Sequence, residues 1–392
     1  MKSKNTPLSV WAVFGTRPEA IKMLPLVLAM KNDARFNPTV CITAQHRDIL
    51  DKVMGVFDVK ADIDLNVMKP GQGLTELTAR ILQGMEDVLT DTPEGVEKPQ
   101  CVLVHGDTTT TMATTLASYY QQIPVGHVEA GLRTGNKYSP FPEEINRKIT
   151  GSVADFHFAP TGLSHANLKA EGVDDGAIFV TGNTVIDALL FMRNKLNTQP
   201  ELAGEMQSFV SDMKARYSRY ILVTGHRRES HGGGFDRICD ALNAIAESHP
   251  DTAIVYPVHP NPNVRGPVHA KLSRSRNIYL IDPQDYAPFI HLMDNAYLIL
   301  TDSGGIQEEA PSLGKPVLVM RDVTERQEAL EAGTVKLVGT DTKKIINEVD
   351  TLIRSAAAYE AMAGVKNPYG DGTSCKQILD ALATQLGLNV PE

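Results

Sequence analysis

The stretch Leu298-Ile-Leu-Thr-Asp-Ser303-Gly-Gly-Ile-Gln-Glu-Glu309-Ala-Pro contains a transition that recurs along the whole chain. Residues 298–301 are apolar or β-branched and predict a buried strand. The Asp-Ser-Gly-Gly segment predicts a tight turn, and a helix follows at once. The same order of strand, turn and helix begins near residues 10, 39, 101 and 220. Near-continuous apolar strands that alternate with helices indicate parallel sheets covered on both faces, so we predict an α/β protein.

The strand–helix pattern stops near residue 190 and restarts near residue 220, which indicates two domains. A chain of 392 residues is also too long for one core of ordinary size. We place the first domain at residues 1–190 and the second at 191–372, with a polar segment at 191–217 beside the boundary. A final helix in residues 373–392 is expected to return to the first domain. Two Rossmann-like, doubly wound domains bind ligands at the carboxyl ends of their strands, which predicts an interdomain cleft.

Composition and charge exclude several classes of protein. The 42% hydrophobic and 22% charged residues are ordinary for a soluble globular protein, and the net charge of −9 argues against nucleic acid as the main partner. No apolar run approaches the roughly 18 residues that span a bilayer, and the polar N-terminus shows no signal peptide. The four cysteines lie far apart without a C-x-x-C pair, as buried thiols do in a reducing compartment. We expect a cytoplasmic protein that does not bind membranes.

The turn at Ser303-Gly304-Gly305 has the features of a phosphate site. Two glycines let a ligand approach the backbone closely, and the N-terminus of the following helix favours an anion. Glu309, about one turn further on, can accept hydrogen bonds from a vicinal diol such as a ribose. These features together suggest a nucleotide diphosphate with its sugar attached. An ordinary turn with a solvated Glu309 fits the same stretch equally well.

Cationic side chains follow two other predicted strands. Arg17 lies in Gly15-Thr-Arg-Pro-Glu19, directly after the first strand, and Lys22 follows on the next helix. Both are candidate diphosphate ligands, and a surface arginine beside a helix start is the alternative. His226 follows the strand at 220–224 and precedes two arginines. It is suited to phosphate contact, leaving-group stabilisation or proton transfer, while a capping or core histidine is the commoner role.

Three carboxylates are predicted in loops at neighbouring strand ends: Asp107, Glu129 and Glu143. Carboxylates crowded together repel one another and burial raises their pKa values, which is the condition that general acid–base catalysis needs. Two structural alternatives remain open. Asp107 could cap the next helix, and the acids could form an ion-pair network with Arg133 and Arg147.

Several cofactor and catalytic motifs are absent from the sequence. No G-x-G-x-x-G follows a strand, so nicotinamide binding is unsupported, and there is no P-loop, H-E-x-x-H or G-x-S-x-G motif. The eleven histidines do not fall at metal-ligand spacings. We therefore expect neither a cofactor nor a metal.

The motifs, in their order along the chain, closely resemble those of the non-hydrolysing UDP-N-acetylglucosamine 2-epimerases. The resemblance extends from about residue 10 to 385 and includes seven segments in register, which makes it highly specific. The segments are Val13-Phe-Gly-Thr-Arg-Pro-Glu-Ala-Ile-Lys22, His105-Gly-Asp-Thr-Thr-Thr-Thr111, His127-Val-Glu-Ala-Gly-Leu-Arg-Thr134, Pro142-Glu-Glu-Ile-Asn-Arg147, Thr181-Gly-Asn-Thr-Val-Ile-Asp187, Thr224-Gly-His-Arg-Arg-Glu229 and Asp302-Ser-Gly-Gly-Ile-Gln-Glu-Glu-Ala-Pro311.

The resemblance implies a fold similar to GT-B glycosyltransferases, a homodimer, and the interconversion of UDP-GlcNAc and UDP-ManNAc, which supplies ManNAc for surface polysaccharides. It implies catalytic roles for Asp107, Glu129, Glu143 and His226. It implies nucleotide contacts for Arg17, Lys22, Ser303, Gly304, Gly305, Glu309 and Arg326, with Gln284 and Phe289 at the uracil.

The chemistry accounts for such residues. The C2 hydrogen of the sugar is not adjacent to a carbonyl, so the available route without a nicotinamide is elimination. A base removes the C2 proton while UDP leaves C1, and the resulting 2-acetamidoglucal regains a proton on the opposite face as UDP re-adds. The route needs acid–base groups on both faces, cations for the departing UDP, and a site that excludes water.

Many bacterial members of this family also bind UDP-GlcNAc at a second, regulatory site. Gln45, Arg227 and His259 match parts of it, and Glu143 borders both sites. The segment Met68-Lys-Pro-Gly-Gln-Gly-Leu74 departs from the pattern because it lacks an arginine that some regulated members carry. Allosteric regulation is therefore a hypothesis at this point.

Three other functions compete with this interpretation. A hydrolysing epimerase would release free ManNAc and UDP, and it differs only in the fate of the product. A GT-B glycosyltransferase would use the same Glu309 helix but needs a groove for an acceptor. A sensor without catalysis would be expected to lack at least one of Asp107, Glu129, Glu143 and His226, all of which are present.

Overall fold

The computed structural model describes residues 6–43, 47–227 and 233–388. The chain divides into two compact units. The first unit comprises Met1–Ala188 and Tyr369–Glu392, and the second comprises Leu189–Pro368. The sequence-based prediction placed the corresponding limits after residues 190 and 372. No helix in the described part of the chain is both long enough and apolar enough to cross a membrane.

The first unit is built on a parallel sheet of seven strands in the order β3-β2-β1-β4-β5-β6-β7. Its strands are β1 (Leu8–Phe14), β2 (Phe36–Ile42), β3 (Ile63–Asp64), β4 (Cys101–His105), β5 (Val125–Val128), β6 (Phe156–Ala159) and β7 (Ile178–Val180). The helices that connect and follow them are α1 (Arg17–Lys31), α2 (Arg47–Val56), α3 (Leu74–Thr90), α4 (Thr109–Tyr120), α5 (Glu143–Val153), α6 (Gly162–Ala170) and α7 (Thr184–Thr198). Every residue of β1 is buried, as expected for a central strand covered on both faces.

The second unit repeats this design with six parallel strands in the order β10-β9-β8-β11-β12-β13. The strands are β8 (Arg219–Thr224), β9 (Thr252–Pro257), β10 (Ile278–Ile281), β11 (Leu298–Thr301), β12 (Val317–Val319) and β13 (Val335–Leu337). The helices are α8 (Glu205–Arg216), α9 (Gly233–Ser248), α10 (Pro262–Leu272), α11 (Tyr286–Asn295), α12 (Gly304–Glu309), α13 (Gln327–Ala332), α14 (Thr342–Arg354) and α15 (Ala356–Ala363). The last helix, α16 (Ser374–Gln385), belongs to the first unit.

The strand orders determine which loops meet. In the first unit β1 lies between β2 and β4, and in the second β8 lies between β9 and β11. The order of strands therefore reverses beside β1 and beside β8. In doubly wound sheets the crevice for a ligand forms at such a reversal, outside the carboxyl ends of the strands. The loops after β1 and β4, and those after β8 and β11, are thus the places where binding residues are expected.

The segment at 191–217, predicted as a polar boundary, is largely helical. Helix α7 continues to Thr198, and α8 buries Met206, Val210 and Met213. These three residues are spaced i, i+4 and i+7, which places them on one face of the helix. The division between the units falls inside α7, after Ala188, instead of in a linker.

Candidate active site

Glu129 is an acidic residue of the first unit whose backbone and side chain are both constrained. It directly follows β5 and has a φ of 61°, a left-handed conformation that is uncommon for a residue with a side chain. Its carboxylate is only 9% exposed and forms an ion pair with Lys22 of α1. The same oxygen, Oε2, accepts a hydrogen bond of 2.9 Å from the Asn183 amide and lies 3.6 Å from His105 Nε2. Lys22 therefore pairs with a carboxylate, whereas the sequence suggested that it binds a diphosphate.

The electrostatics of Glu129 differ from the prediction for crowded acids. Burial by itself raises the pKa of this carboxyl, but the charges of Lys22 and His105, with their hydrogen bonds, hold the pKa well below its ordinary value. The pKa of Glu129 is thus determined by nearby cations and not by repulsion from other acids. Glu129 is held as an anion at neutral pH.

Asp107 lies in the loop after β4 and forms an ion pair with Arg147 of α5. The distances are 2.7 Å from Arg147 Nη2 and 2.9 Å from Nε to Asp107 Oδ2. The capping alternative for Asp107 is wrong, because Thr108 accepts the N–H of Thr111 at the start of α4. The ion-pair alternative is observed for Asp107 with Arg147. Arg133 instead pairs with Glu171, at 2.6 Å.

The adjacent acids at the start of α5 have different surroundings. Glu144 is completely buried and accepts hydrogen bonds from the backbone N–H groups of Thr134 and Gly135 and from Arg147 Nη1. It therefore fixes the loop that precedes α5. Glu143 Oε2 is buried as well, but it has no hydrogen-bond partner among the residues that the structure describes. Of the two acids, only Glu143 has a buried oxygen without a hydrogen-bond partner among the described residues.

Glu19 is a residue of this region that the sequence interpretation missed. It is 2% exposed, and its Oε2 accepts the backbone N–H groups of Gly15 and Thr16 at 3.0 and 2.7 Å. Its Oε1 accepts the hydroxyl of Thr108 at 2.6 Å. One carboxylate thus joins the loop after β1, which carries Arg17, to the loop after β4. The available signal was the capping box formed by Thr16 and Glu19.

Removal of this carboxylate should be costly for the first unit. We expect Glu19→Ala to lower the free energy of unfolding by about 3–4 kcal/mol, because several buried donors lose their acceptor. Trp11, the only tryptophan, is fully buried in β1 and reports on the first unit by fluorescence during urea unfolding. The matched control is Glu76→Ala, which removes a half-exposed first-turn acid of α3 that contacts only Arg80 in the described network. Its expected cost is under about 0.5 kcal/mol, and equal losses for the two variants would contradict this role of Glu19.

Three histidines are buried beneath these loops, on neighbouring strands β4, β5 and β6: His105, His127 and His157. The ring of His127 contacts the carbonyl oxygen of Gly106 through Nε2 at 2.7 Å and lies 6.5 Å from the ring of His157. Burial lowers the pKa of His127 to about 3 and that of His157 to about 4. Both rings are therefore neutral at physiological pH.

These two histidines should make the first unit sensitive to acid. Between pH 6.5 and pH 5 the unfolded chain binds protons at His127 and His157 while the folded chain does not, so stability falls as the pH falls. Each histidine should contribute about 1.5 kcal/mol to that loss. Urea unfolding followed by Trp11 fluorescence at both pH values measures it. His127→Gln should remove about half of the difference, and an unchanged difference would contradict the assignment. The contribution of Glu129 is lost only at lower pH, below its ordinary pKa.

The second unit places His226 beside Asp302, at the carboxyl ends of the neighbouring strands β8 and β11. The backbone N–H groups of His226 and Arg227 donate to Asp302 Oδ2 at 2.7 and 2.8 Å. His226 Nδ1 lies 3.6 Å from Asp302 Oδ1, and its ring stacks on His259 with 5.2 Å between the centroids. Burial lowers the pKa of His226, and the charge of Asp302 opposes this. With 46% of its side chain exposed, His226 is accessible to a ligand.

Asp302 begins the last of the seven family segments, but the sequence did not predict it as a site residue. It is 1% exposed and its Oδ1 has no hydrogen-bond partner in the described part of the chain. Its Oδ2 fixes the loop after β8 by accepting the backbone N–H groups of His226 and Arg227. Of the residues matched to a regulatory site, Arg227 and His259 adjoin His226, and Gln45 lies outside the described residues.

Helix α12 begins at Gly304, directly after Asp302 and Ser303, as the sequence predicted. The guanidinium of Arg326 lies against this turn, since a Cβ at Gly304 would meet Arg326 Cζ at 3.1 Å. Glu308 fixes that guanidinium at 2.7 Å. Glycine at 304 thus lets a cation reach the N-terminus of the helix. Glu309, the last residue of α12, is 9% exposed.

The remaining predicted contacts lie in their own units at the carboxyl ends of strands. Arg17 is the first residue of α1, next to the end of β1, and is partly exposed. Gln284 lies between β10 and α11 and donates to the carbonyl oxygen of Asp282 at 2.8 Å. It lines a cavity of about 430 Å³ that also includes Phe209 and Arg265. Phe289 lies on α11 and is partly buried.

Comparison with known proteins relates this chain to one family. The sequence profile described as UDP-N-acetylglucosamine 2-epimerase matches residues 28–383. The chain belongs to the UDP-N-acetylglucosamine 2-epimerase family. The UDP-N-acetylglucosamine 2-epimerase of Escherichia coli K12 is 58% identical over 378 residues, which cover 96% of this chain and 98% of that protein.

Solved structures of the family agree with the fold. The crystal structure of UDP-GlcNAc 2-epimerase from Neisseria meningitidis bound to UDP-GlcNAc has 51% identity and a TM-score of 0.85, and covers 96% of this chain and 100% of that one. The Methanocaldococcus jannaschii enzyme in complex with UDP-GlcNAc and UDP has 32% identity and a TM-score of 0.77, with coverage of 96% and 100%. The predictions of the 2-epimerase family and of two Rossmann-like α/β domains are therefore confirmed. The roles of the individual site residues remain predictions.

Proposed function

We propose that this chain is a non-hydrolysing UDP-GlcNAc 2-epimerase, which interconverts UDP-GlcNAc and UDP-ManNAc by elimination and re-addition of UDP. The observation that carries the proposal is the set of three carboxylates in three different environments within the first unit. Glu129 is paired with Lys22, Asp107 is paired with Arg147, and Glu143 keeps an oxygen without a partner among the described residues. A reaction that exchanges a proton on both faces of C2 needs more than one such group.

The second unit supplies what the leaving group requires. Arg326 and the backbone N–H groups at the start of α12 are suited to the diphosphate, and Glu309 to the ribose. On the family resemblance, we also assign Arg17 to the nucleotide contacts. His226, neutral and held by Asp302, can donate a hydrogen bond to the departing oxygen. Relatives whose solved structures contain UDP-GlcNAc or UDP support this assignment of ligand.

In the proposed reaction a carboxylate accepts the C2 proton while the C1–O bond breaks, which gives 2-acetamidoglucal and UDP. A second carboxyl returns a proton to the opposite face of C2, and the UDP oxygen attacks C1 again. Atoms and charge balance without a redox step, so no nicotinamide is needed. Glu129 is ionised at neutral pH, which is the form of a carboxyl group that can accept a proton.

We extend the proposal, on the family resemblance, to a cytoplasmic homodimer that supplies ManNAc units for surface polysaccharide. Regulation by a second UDP-GlcNAc molecule belongs to the same proposal. It rests on Arg227 and His259, which adjoin His226 in the second unit. If the reaction that starts from UDP-ManNAc showed hyperbolic kinetics and did not require UDP-GlcNAc, the proposed regulation would be wrong. The proposed epimerase activity would not be affected.

Proton NMR in D2O tests the proposed function. The purified chain, incubated with UDP-GlcNAc, should produce UDP-ManNAc as the minor component at equilibrium, with solvent deuterium at C2 of both sugars. Free ManNAc and UDP as the only products would support a hydrolysing epimerase. Unchanged UDP-GlcNAc without deuterium would support a sensor or a glycosyltransferase and contradict the proposal.

A further inference from the structure

Asn183 is a buried amide that the proposed mechanism does not use. It lies in the segment Thr181-Gly-Asn-Thr-Val-Ile-Asp187, directly before α7, and is 2% exposed. Its Nδ2 donates to Glu129 Oε2 at 2.9 Å, although the two residues are 54 positions apart. A buried amide that contacts a candidate catalytic carboxylate either stabilises the fold alone or also controls that carboxylate.

The orientation of the Asn183 amide is determined by its other contacts. Its Oδ1 accepts the backbone N–H of Val185 at 3.0 Å, in the manner of a helix N-cap. Because a backbone N–H can only donate, the oxygen of the amide must face Val185 and the nitrogen must face Glu129. The backbone N–H of Asn183 donates to the carbonyl oxygen of Tyr369 at 2.7 Å, which fixes the loop itself. The contacts with Val185 and Tyr369 therefore fix the direction in which the Asn183 amide donates.

Three groups converge on one oxygen of Glu129. Lys22 of α1 and Asn183 contact Oε2, and His105 at the end of β4 lies 3.6 Å from it. Lys22 and His105 are the charged and titratable groups that face this carboxylate. Asn183 is the neutral member, and its N–H favours the ionised form of the carboxylate without adding charge.

We infer that Asn183 is a positioning residue for Glu129, which holds this carboxylate ionised and oriented for proton exchange at C2. The inference rests on the proposed function, because it assigns Asn183 a part in the same reaction. Asn183 itself does not contact the reacting atoms in this assignment.

Asn183→Asp separates this role from the capping role. Aspartate is a good N-cap and can still accept the N–H of Val185, so the start of α7 is retained. Ionised aspartate cannot donate, however, and it places a second carboxylate beside Glu129 Oε2. Asn183→Ser also keeps a capping oxygen but does not reach Glu129. Asn347→Asp, on the exposed face of α14 in the second unit, is the control for the change in charge.

We expect Asn183→Asp to lower kcat at least about a hundredfold with KM for UDP-GlcNAc within about threefold. The acid limb of its kcat profile should move to higher pH by at least about one unit, because the added like charge favours protonation of the pair. Asn183→Ser should lose about tenfold in kcat with a smaller displacement of the limb. Asn347→Asp should match the wild type. A wild-type kcat and an unmoved acid limb for Asn183→Asp would overturn the inference.

A second readout does not depend on activity. In protein labelled with [5-13C]glutamate, the Glu129 resonance is the one that disappears in Glu129→Gln, and its titration midpoint should be higher in Asn183→Asp than in the wild type. An unchanged midpoint overturns the inference even if kcat falls. If the wild type itself produces no UDP-ManNAc, the proposed function fails, and the NMR midpoint alone decides whether Asn183 controls the Glu129 carboxylate.

Discussion

Replacing Glu129 by glutamine should lower kcat for the interconversion of UDP-GlcNAc and UDP-ManNAc by about a thousandfold. Glutamine has nearly the same shape, so it preserves the left-handed turn after β5, but it cannot accept the C2 proton. It also removes the negative partner of Lys22. The loss should therefore appear in kcat, with KM changed only a few-fold. Initial rates of UDP-ManNAc formation, together with deuterium incorporation at C2, test this expectation.

Glu171→Gln is the matched control for that variant. Glu171 also forms an ion pair in the first unit, with Arg133 at 2.6 Å, but its side chain is 35% exposed and it is not a candidate site residue. Loss of this partly exposed pair should cost about 1 kcal/mol in stability, and kcat should stay within about threefold of the wild type. A thousandfold loss of kcat in Glu129→Gln but not in Glu171→Gln would support a role of Glu129 in proton transfer. If Glu129→Gln kept more than a tenth of the wild-type kcat, this role would be contradicted.

Gly131→Ala should strongly destabilise the first unit. Gly131 has a φ of 90°, and a Cβ at this position would lie 2.2 Å from the backbone carbonyl oxygen of Ser164 in α6. The left-handed conformation costs about 1–2 kcal/mol and the overlap adds about 2–3 kcal/mol. Relief of the overlap must move α6 or the loop that carries Glu129. Both the midpoint of urea unfolding, followed by Trp11 fluorescence, and kcat should therefore fall.

Gly172→Ala isolates the conformational part of that loss. Gly172 has nearly the same φ, 92°, and nothing lies within 4 Å of a Cβ built there. This control should lose only the cost of the left-handed conformation, about 1–2 kcal/mol, with normal kcat. If the two variants unfolded at the same urea concentration and retained equal activity, the close packing of the Glu129 loop on α6 would be contradicted.

The strands and many of the site positions could be predicted from the sequence because the information is local. Apolar runs such as 298–301 identify buried strands, and polar clusters directly after them identify loops at carboxyl ends. Which loops lie next to each other is not determined locally, because it depends on the order of the strands in each sheet. The insertion of β1 between β2 and β4 brings Glu19 to Thr108, and that of β8 between β9 and β11 brings Asp302 to His226.

The difference between neighbouring acids also depends on tertiary structure. Glu143 and Glu144 are equivalent in a list of charged residues, but a helix turns by about 100° per residue. One side chain is therefore directed into the loop before α5 and is completely buried, while the other keeps an oxygen without a protein partner among the described residues. The pairing of Lys22 with Glu129 likewise arises from two elements that are distant in sequence. Crowding of the three acids predicted that their pKa values are raised. The pKa of Glu129 is instead lowered, because the charges of Lys22 and His105 outweigh its burial.

Positional isotope exchange shows whether the C1–O bond is cleaved during epimerisation. UDP-GlcNAc is prepared with 18O in the oxygen that bridges C1 and the β-phosphorus, and the β-phosphate is followed by 31P NMR. When UDP departs and returns, its terminal oxygens become equivalent, so 18O should move from the bridging to the non-bridging positions at a rate at least comparable to epimerisation. Conversion to UDP-ManNAc with all of the 18O still in the bridge would show that the C1–O bond stays intact and would rule out elimination of UDP.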